Sequence, residues 1–200
     1  MRSAPVKVSC GLLLLAATAA AQQRPASPQG RSAVEVAGTY DVQYGYENGR
    51  WIEVRYGRPI LRGRDIFGPD DWQEALNDGA EVWRAGANYS TVLSTEVALD
   101  IDGVSVEPGE YTVFIDLGDD WTFILSRWPA QTTYDYENKD ALFGAYYYTA
   151  DRDVVRTTMA VEDGDISFEQ LSWQFVDVDD EGGRLMMLWG TKRASVAFQF

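Results

Sequence analysis

Short alternations of apolar and polar residues, separated by tight-turn dipeptides, constrain the fold of this chain more than any other feature. Residues 40–46 alternate with a period of two and lead into Asn48-Gly49, the residue types that a type I′ hairpin turn needs. Asp102-Gly103 and Pro108-Gly109 mark further turns, and residues 194–200 alternate up to the C-terminus. This spacing predicts an all-β fold, an antiparallel β-sandwich that is jelly-roll-like or barrel-like, in residues 34–200.

The same patterns place the individual strands. We expect residues 50–56 to pair with 40–46 through the Asn48-Gly49 turn, and residues 93–101 to form one strand. Further strands are predicted at 104–106, 111–115, 121–125, 143–149, 154–161, 166–176, 185–189 and 194–200, and only residues 70–77 look helical. Successive strand residues face opposite sides, so the run Tyr146-Tyr147-Tyr148 predicts that some aromatic surface is exposed.

The N-terminus has the composition of an export signal. Arg2 and Lys7 precede a short apolar core at 11–19, and the small residues 19–21 offer a cleavage site, so we interpret residues 1–21 as a signal peptide. Residues 22–33 are rich in Gln, Pro, Ser and Gly and are predicted to be a flexible leader. A single domain at 34–200 would follow, and we expect it to be periplasmic or extracellular, without a membrane span. We expect no lipid anchor, because Cys10 precedes the apolar core, whereas the cysteine of a lipoprotein follows it.

Composition excludes several kinds of chemistry. The chain has no histidine and a single cysteine, Cys10, which lies in the predicted signal peptide. Histidine-based catalysis, thiol catalysis, disulfides, and metal sites built on His or Cys are therefore excluded from the mature chain. With 31 acidic against 17 basic residues, the surface should repel nucleic acid and anionic lipid.

The basic residues are unevenly distributed. Five arginines fall between Arg50 and Arg64, and Arg84 follows, whereas residues 85–126 contain acidic residues and no basic one. We therefore expect an arginine-rich strand pair to lie near acidic strands, because the planar guanidinium pairs well with carboxylates.

Several ordered motifs together resemble a known family. Tyr56-Gly-Arg58-Pro59, Gly63-Arg64-Asp-Ile-Phe67-Gly68 and Val82-Trp83-Arg84-Ala-Gly86-Ala-Asn88 are followed by further blocks at 108–114, 121–125, 143–146 and 153–156. From about Arg50 to the C-terminus the chain resembles the bacterial Domain of Unknown Function 2911 family. The resemblance implies a secreted or envelope protein. It implies no catalytic residue, because no activity is established for the family.

The chain departs from the family pattern at three places. Phe143 replaces the usual tryptophan, and the connections at 69–81 and 127–142 are longer than usual. We expect both insertions to reshape any site nearby.

A candidate ligand site is predicted around the arginines of these motifs. Arginine forks and an amide suit the recognition of a carboxylate, phosphate or sulfate group. The predicted ligand-binding residues are Arg58, Arg64, Trp83, Arg84 and Asn88. The alternative is that these arginines form internal ion pairs with the acidic strands. Gly57 and Gly86 are interpreted as positions where backbones approach closely.

Two acidic motifs and one pair of carboxylates offer alternative candidate sites. Residues 177–182 and 100–103 are rich in carboxylates but lack the full spacing of a calcium loop, so hairpin turns are the favoured interpretation. Asp135 and Glu137 would share a face of a strand and could in principle support glycoside hydrolysis. We predict no metal, no cofactor and no catalytic residue.

The leading hypothesis is an exported β-sandwich that binds a ligand or partner without catalysis. The ligand would be a small anion, a glycan or an envelope component. One alternative is a carboxylate-based hydrolase acting on envelope polysaccharide. Another is a structural envelope protein that self-associates through exposed aromatic residues.

Overall fold

The computed structural model describes residues 25–67, 72–77 and 79–200. The predicted signal peptide and the first residues of the predicted leader lie outside this range. Within it, the strands are β1 (Gln29–Val36), β2 (Thr39–Asp41), β3 (Gly45–Glu47), β4 (Arg50–Gly57), β5 (Thr91–Thr95), β6 (Leu99–Ile101), β7 (Val104–Val106), β8 (Gly109–Asp116), β9 (Thr122–Ser126), β10 (Asp153–Thr158), β11 (Ala160–Val176) and β12 (Gly182–Gln199). A short helix, α1 (Trp72–Asn77), and a 3₁₀ turn at Ala150–Arg152 complete the elements.

Two antiparallel sheets pack against each other. The larger sheet has the strand order β1-β4-β5-β8-β9-β10, and the smaller has the order β11-β12-β6-β7. The strands β2 and β3 form a separate hairpin. The predicted all-β antiparallel sandwich is confirmed, and its sheets stay open instead of closing into a barrel.

Alternating side chains of the two sheets form the main core. Ile52 and Val54 of β4 point inward from the large sheet, and Trp173 and Met187 point inward from the small sheet; all four side chains are fully buried. Burial of each such side chain contributes about 1.5–3 kcal/mol. The period-two pattern of the sequence is therefore the pattern of this core.

A second, smaller core lies on the outer face of the large sheet. Residues 127–149, here called the overlying segment, connect β9 to the 3₁₀ turn and β10. Leu142 and Tyr148 of this segment pack on Phe114 of β8 and Ile124 of β9. The segment covers the β8–β9 side of the sheet, whereas Trp51 and Arg55 on the outer face of β4 remain exposed. A step therefore forms where the segment ends.

The prediction of a strand at 143–149 is wrong. These residues form bends and turns within the overlying segment, and both Gly144 and Tyr147 have positive φ, at 64° and 65°. A strand cannot contain such residues without breaking its ladder. The predicted strand 93–101 is also divided, because β5 belongs to the large sheet and β6 to the small one.

The pairing predicted for the first hairpin is wrong as well. The strand β4 pairs with β1 on one side and with β5 on the other, while β2 pairs only with β3. The strand β1 begins at Gln29, within the predicted leader. By contrast, Asp102 and Gly103 connect β6 to β7 with φ of 54° and 77°, as a type I′ turn requires.

Candidate functional site

The predicted ligand residues Arg58 and Arg64 donate to backbone carbonyls. The Nε of Arg58 donates to the carbonyl oxygen of Leu171 at 3.3 Å, which connects the end of β4 to β11. The guanidinium of Arg64 donates to the carbonyls of Leu61 and Ile60 in its own loop, at 2.9 and 2.7 Å. The structure thus holds these two arginines against different parts of the backbone.

Trp83, Arg84 and Asn88 lie in the connection before β5. Trp83 is 1% exposed and its indole N–H donates to the carbonyl of Gly86 at 3.1 Å, so its ring is a core residue and presents no free face. Arg84 and Asn88 both approach Gly144: a Cβ added there would lie 2.8 Å from a guanidinium nitrogen of Arg84 and 3.2 Å from the carbonyl oxygen of Asn88. The side chain of Arg84 and the backbone of Asn88 therefore meet at Gly144, while the amide nitrogen of Asn88 donates to the carbonyl of Ser27 at 3.4 Å.

The motif glycines allow close backbone approach, as predicted. A Cβ on Gly57 would lie 1.8 Å from the carbonyl oxygen of Ala87, and one on Gly86 would lie 3.0 Å from the carbonyl oxygen of Gly57. The hydroxyl of Ser90 donates to the carbonyl of Gly144 at 2.6 Å. Three of the motif blocks therefore meet at one place, the end of β4, the start of β5 and the turn at 143–146.

A pocket of about 210 Å³ opens beside this meeting point, at the step between the overlying segment and the large sheet. We call it the polar pocket. Amides, hydroxyls and one pair of opposite charges line it together with apolar groups. Its lining residues are Gln29, Arg55, Tyr56, Gly57, Tyr89, Ser90, Val92, Glu110, Ala130, Gln131 and Thr132.

The charges of the polar pocket belong to a cross-strand ladder. Arg55 of β4 forms ion pairs with Glu110 of β8 and, at 3.4 Å, with Glu53 of its own strand, while Arg31 of β1 pairs with Glu53. The prediction of an arginine-rich strand beside acidic strands is thus confirmed for Arg55. Exposed pairs of this kind contribute about 0–1 kcal/mol each. Their larger effect is to neutralise the guanidinium that faces the pocket.

A second pocket, of about 220 Å³, adjoins the first and shares Gln131 with it. We call it the aromatic pocket. Its lining residues are Gln131, Tyr134, Asp135, Tyr136, Phe143, Tyr146 and Tyr147. The ring of Phe143 contacts that of Tyr134 at a centroid distance of 4.8 Å and that of Tyr89, in the polar pocket, at 5.1 Å. The sequence predicted exposed aromatic residues, and Tyr134, Tyr136 and Tyr147 are each more than half exposed.

Gln131 holds the loop that builds the aromatic pocket. Its side chain is buried, and its amide nitrogen lies 2.9–3.1 Å from the carbonyl oxygens of Asp135, Asn138 and Ala141. Its amide oxygen accepts the N–H of Asp135 at 2.8 Å. Sequence reasoning missed Gln131, Tyr134 and Tyr136 as pocket residues; the available signals were the tyrosine run at 146–148 and the longer connection at 127–142.

Lys139 contacts two tyrosines of the aromatic pocket, Tyr136 and Tyr147, without lining the pocket itself. Its Nζ lies 4.1 Å from the ring centroid of Tyr136 and 3.9 Å from that of Tyr147. It donates to the carbonyl of Tyr136 at 2.6 Å and to the hydroxyl of Tyr147 at 2.7 Å. The hydrogen bond to Tyr147 raises the pKa of Lys139 above its ordinary value.

A partly buried network anchors the far end of the overlying segment. The hydroxyl of Tyr148 donates to the carboxylate of Asp153 at 2.5 Å, and Arg156 donates to the same carboxylate oxygen at 2.9 Å. Burial and the hydrogen bond to Asp153 raise the pKa of Tyr148 above its ordinary value. This network uses the motif block at 153–156 and fixes the segment to β10.

The acidic motifs form turns. Asp179, between β11 and β12, accepts the backbone N–H groups of Glu181 and Gly182 at 2.8 and 3.1 Å. The prediction that Asp135 and Glu137 share a face of a strand is wrong. Both residues lie in a loop, where the carboxylate of Asp135 accepts the N–H of Glu137 at 3.0 Å. The described residues contain no group of three or more His, Cys, Asp or Glu side chains placed to hold a metal ion.

Comparisons with known proteins place the chain in a family. No helix among the described residues is long and apolar enough to cross a membrane. No match was found among curated proteins or among solved structures. A family model described as "Protein of unknown function (DUF2911)" matches residues 39–198, which includes every motif block and both pockets except Gln29. The chain therefore belongs to the DUF2911 family.

Proposed function

We propose that this protein is an exported, non-catalytic glycan-binding module, with its site in the polar and aromatic pockets. The observation that carries this proposal is that the two pockets lie side by side and share Gln131. The apolar face of a sugar ring packs on an aromatic ring, and its hydroxyls bond to amides, hydroxyls and carboxylates. The two pockets supply these two sets of partners next to each other.

The charge arrangement favours a glycan over a small anion. Arg55, which lines the polar pocket, is already paired with Glu53 and Glu110. Asp135 adds a further carboxylate to the aromatic pocket. A bound anion would be repelled by these carboxylates, and the described lining residues include no unpaired arginine to attract it. The neutral hydroxyls of a sugar, by contrast, can donate hydrogen bonds to the carboxylates.

The same contacts support binding more than hydrolysis. Glycoside hydrolysis needs two carboxyl groups that flank one bond, about 5–9.5 Å apart, one of which donates a proton. Glu110 is held by Arg55 and by the hydroxyl of Ser94, and Asp135 caps the backbone of its own loop. Each carboxylate of the two pockets therefore has a structural partner.

A panel of oligosaccharides tests the proposal with the purified protein. A ligand present at 100 times its dissociation constant stabilises the fold by about 2.7 kcal/mol. For a domain of this size that raises the unfolding midpoint by roughly 5–11 °C. We expect Tyr134→Ala, which removes an exposed ring from the aromatic pocket, to weaken binding of the active glycan about fivefold in a calorimetric titration, in line with an aromatic contact worth roughly 1 kcal/mol.

Tyr44→Ala is the matched control. Tyr44 is equally exposed but lies in the β2–β3 hairpin, beyond the Arg50 end of β4, and the polar pocket lies at the Gly57 end. At about 3.3 Å per residue these ends are roughly 23 Å apart. Tyr44→Ala should leave the affinity unchanged. A flat panel, or an equal loss in both variants, would remove the site from consideration.

A further inference from the structure

We propose that the aromatic pocket recognises an ammonium group, so that its ligand is a glycan carrying free amines, and that Lys139 occupies the ammonium position until the ligand displaces it. This inference rests on the proposed glycan-binding function and narrows its ligand to amino sugars whose amines are not acetylated.

The position of Lys139 shows that the pocket walls hold an ammonium. Its Nζ lies against the rings of Tyr136 and Tyr147 at 4.1 and 3.9 Å, within the range of a cation–π contact. Two oxygens, the Tyr136 carbonyl and the Tyr147 hydroxyl, accept its N–H groups at 2.6 and 2.7 Å. Lys139 does not itself line the pocket, so its ammonium lies at the pocket's edge, against two tyrosines that a ligand inside the pocket also contacts.

The charge of the pocket suits a cation. Asp135 is the one charged side chain among its described lining residues, and the exposed Glu137 and Asp140 lie in the same loop. None of these three carboxylates forms an ion pair with another described residue. Glu137 also helps to raise the pKa of Lys139, so a ligand ammonium that displaces Lys139 takes its place near these carboxylates, whereas an acetylated amine, which is uncharged, does not.

Lys139 is displaceable, whereas the tyrosines are fixed. The lysine is exposed at the end of a flexible four-carbon stem. Gln131 fixes the backbone on both sides of Tyr136, through Asp135 and Asn138. Tyr147 directly precedes Tyr148, which is buried in the second core. An incoming ammonium therefore meets a preformed site whose present occupant can move into solvent.

Calorimetric titrations with two tetrasaccharides test the inference, one of β-1,4-linked glucosamine and one of its N-acetylated counterpart. We expect the purified protein to bind the free-amine form at least about tenfold more tightly. Lys139→Met keeps the length of the side chain but removes the competing ammonium. It should tighten binding of the free-amine form several-fold and leave the acetylated form unchanged. Lys192→Met, which removes the ammonium paired with Asp163, is the matched control and should change neither.

The outcomes separate this inference from the function on which it rests. Equal affinity of the protein for both sugars would overturn the inference while the glycan site stands. An equal loss of affinity for both sugars in Lys139→Met would do the same, and would show that Lys139 supports the structure of the pocket. If the oligosaccharide panel is flat and neither sugar binds, but butylammonium binds and does so more tightly to Lys139→Met, the ammonium site stands and the glycan function falls. If none of the three probes binds, the ammonium site is overturned, and a flat panel overturns the glycan function with it.

Discussion

At the scale of single residues, Gly57 is the position where two motif blocks touch. A Cβ at this position would meet the carbonyl oxygen of Ala87 at 1.8 Å, a contact that backbone must move to relieve. We expect Gly57→Ala to lower the free energy of unfolding by about 1–3 kcal/mol, as overpacking does in a close-packed interior. Urea denaturation monitored by tryptophan fluorescence measures the change.

Gly109→Ala is the matched control for this prediction. Gly109 also lies at the end of a strand of the large sheet, but a Cβ there would find its nearest neighbour at 3.6 Å, an ordinary contact. The stability of Gly109→Ala should stay within about 0.5 kcal/mol of the wild type. Equal stabilities of the two variants would mean that the backbone around Gly57 relaxes freely.

The role of Gly57 could be predicted from sequence, but the contacts of the neighbouring arginines could not. A glycine within a motif at the end of a predicted strand indicates close approach in any sandwich. An arginine in the same motif has several partners open to it. Arg58 and Arg64 donate to backbone carbonyls, and those carbonyls depend on how β11 and the loop after β4 are placed, which residue types do not reveal.

At the scale of elements, we expect the loop built around Gln131 to open locally while the sandwich stays folded. Gln131→Leu removes the hydrogen-bonding amide from four backbone groups within residues 135–141. Each buried group left without a partner costs about 1–3 kcal/mol, so the loop should release these groups to water by local opening. We expect faster amide hydrogen exchange across 132–141 with β8 and β9 unchanged, together with loss of glycan binding.

Gln43→Leu provides the comparison, because Gln43 is exposed in the turn of the β2–β3 hairpin. That substitution should leave exchange in 132–141 and glycan binding at wild-type values. Unchanged exchange in Gln131→Leu would show that the ring contacts of Phe143 and the contacts of Lys139 with Tyr136 and Tyr147 hold the loop without the Gln131 amide.

The overlying segment is the element that sequence patterns could not predict. Its aromatic run at 143–148 has the composition of a strand, yet two of its residues adopt positive φ and its apolar side chains fill a second core. The strands of the main core repeat every two residues, which makes them recognisable. The segment has no repeat, since its shape comes from one glutamine bonded to residues four to ten positions away.

At the scale of the whole molecule, the fold class could be predicted but the strand pairing could not. Turn dipeptides and alternation indicate an antiparallel sandwich whatever the order of its strands. The strand β1 pairs with all of β4, although its first residues have the polar composition of a leader. Backbone hydrogen bonds to β4 and the ion pair between Arg31 and Glu53 order this edge without a large apolar surface.

The net charge of the molecule leads to a prediction about salt. With 31 acidic and 17 basic residues, the folded chain repels itself, and dissolved salt screens that repulsion over a Debye length of about 10 Å at 0.1 M. Salt also weakens the attraction within the exposed ladder of Arg31, Glu53, Arg55 and Glu110, which lowers stability. Such pairs contribute at most about 1 kcal/mol each. We therefore expect the thermal unfolding midpoint at neutral pH to rise as NaCl is added.

A second titration near pH 4 gives this prediction its control. There the carboxylates, with ordinary pKa values of about 3.9 for Asp and 4.3 for Glu, are partly protonated and the net charge approaches zero. With little repulsion left to screen, added NaCl should have a much smaller effect on the midpoint, or should lower it by weakening the remaining pairs. A midpoint that falls with salt at neutral pH would mean that the ladder and the other surface pairs outweigh the excess of acidic residues, because screening lowers stability only where it weakens attraction.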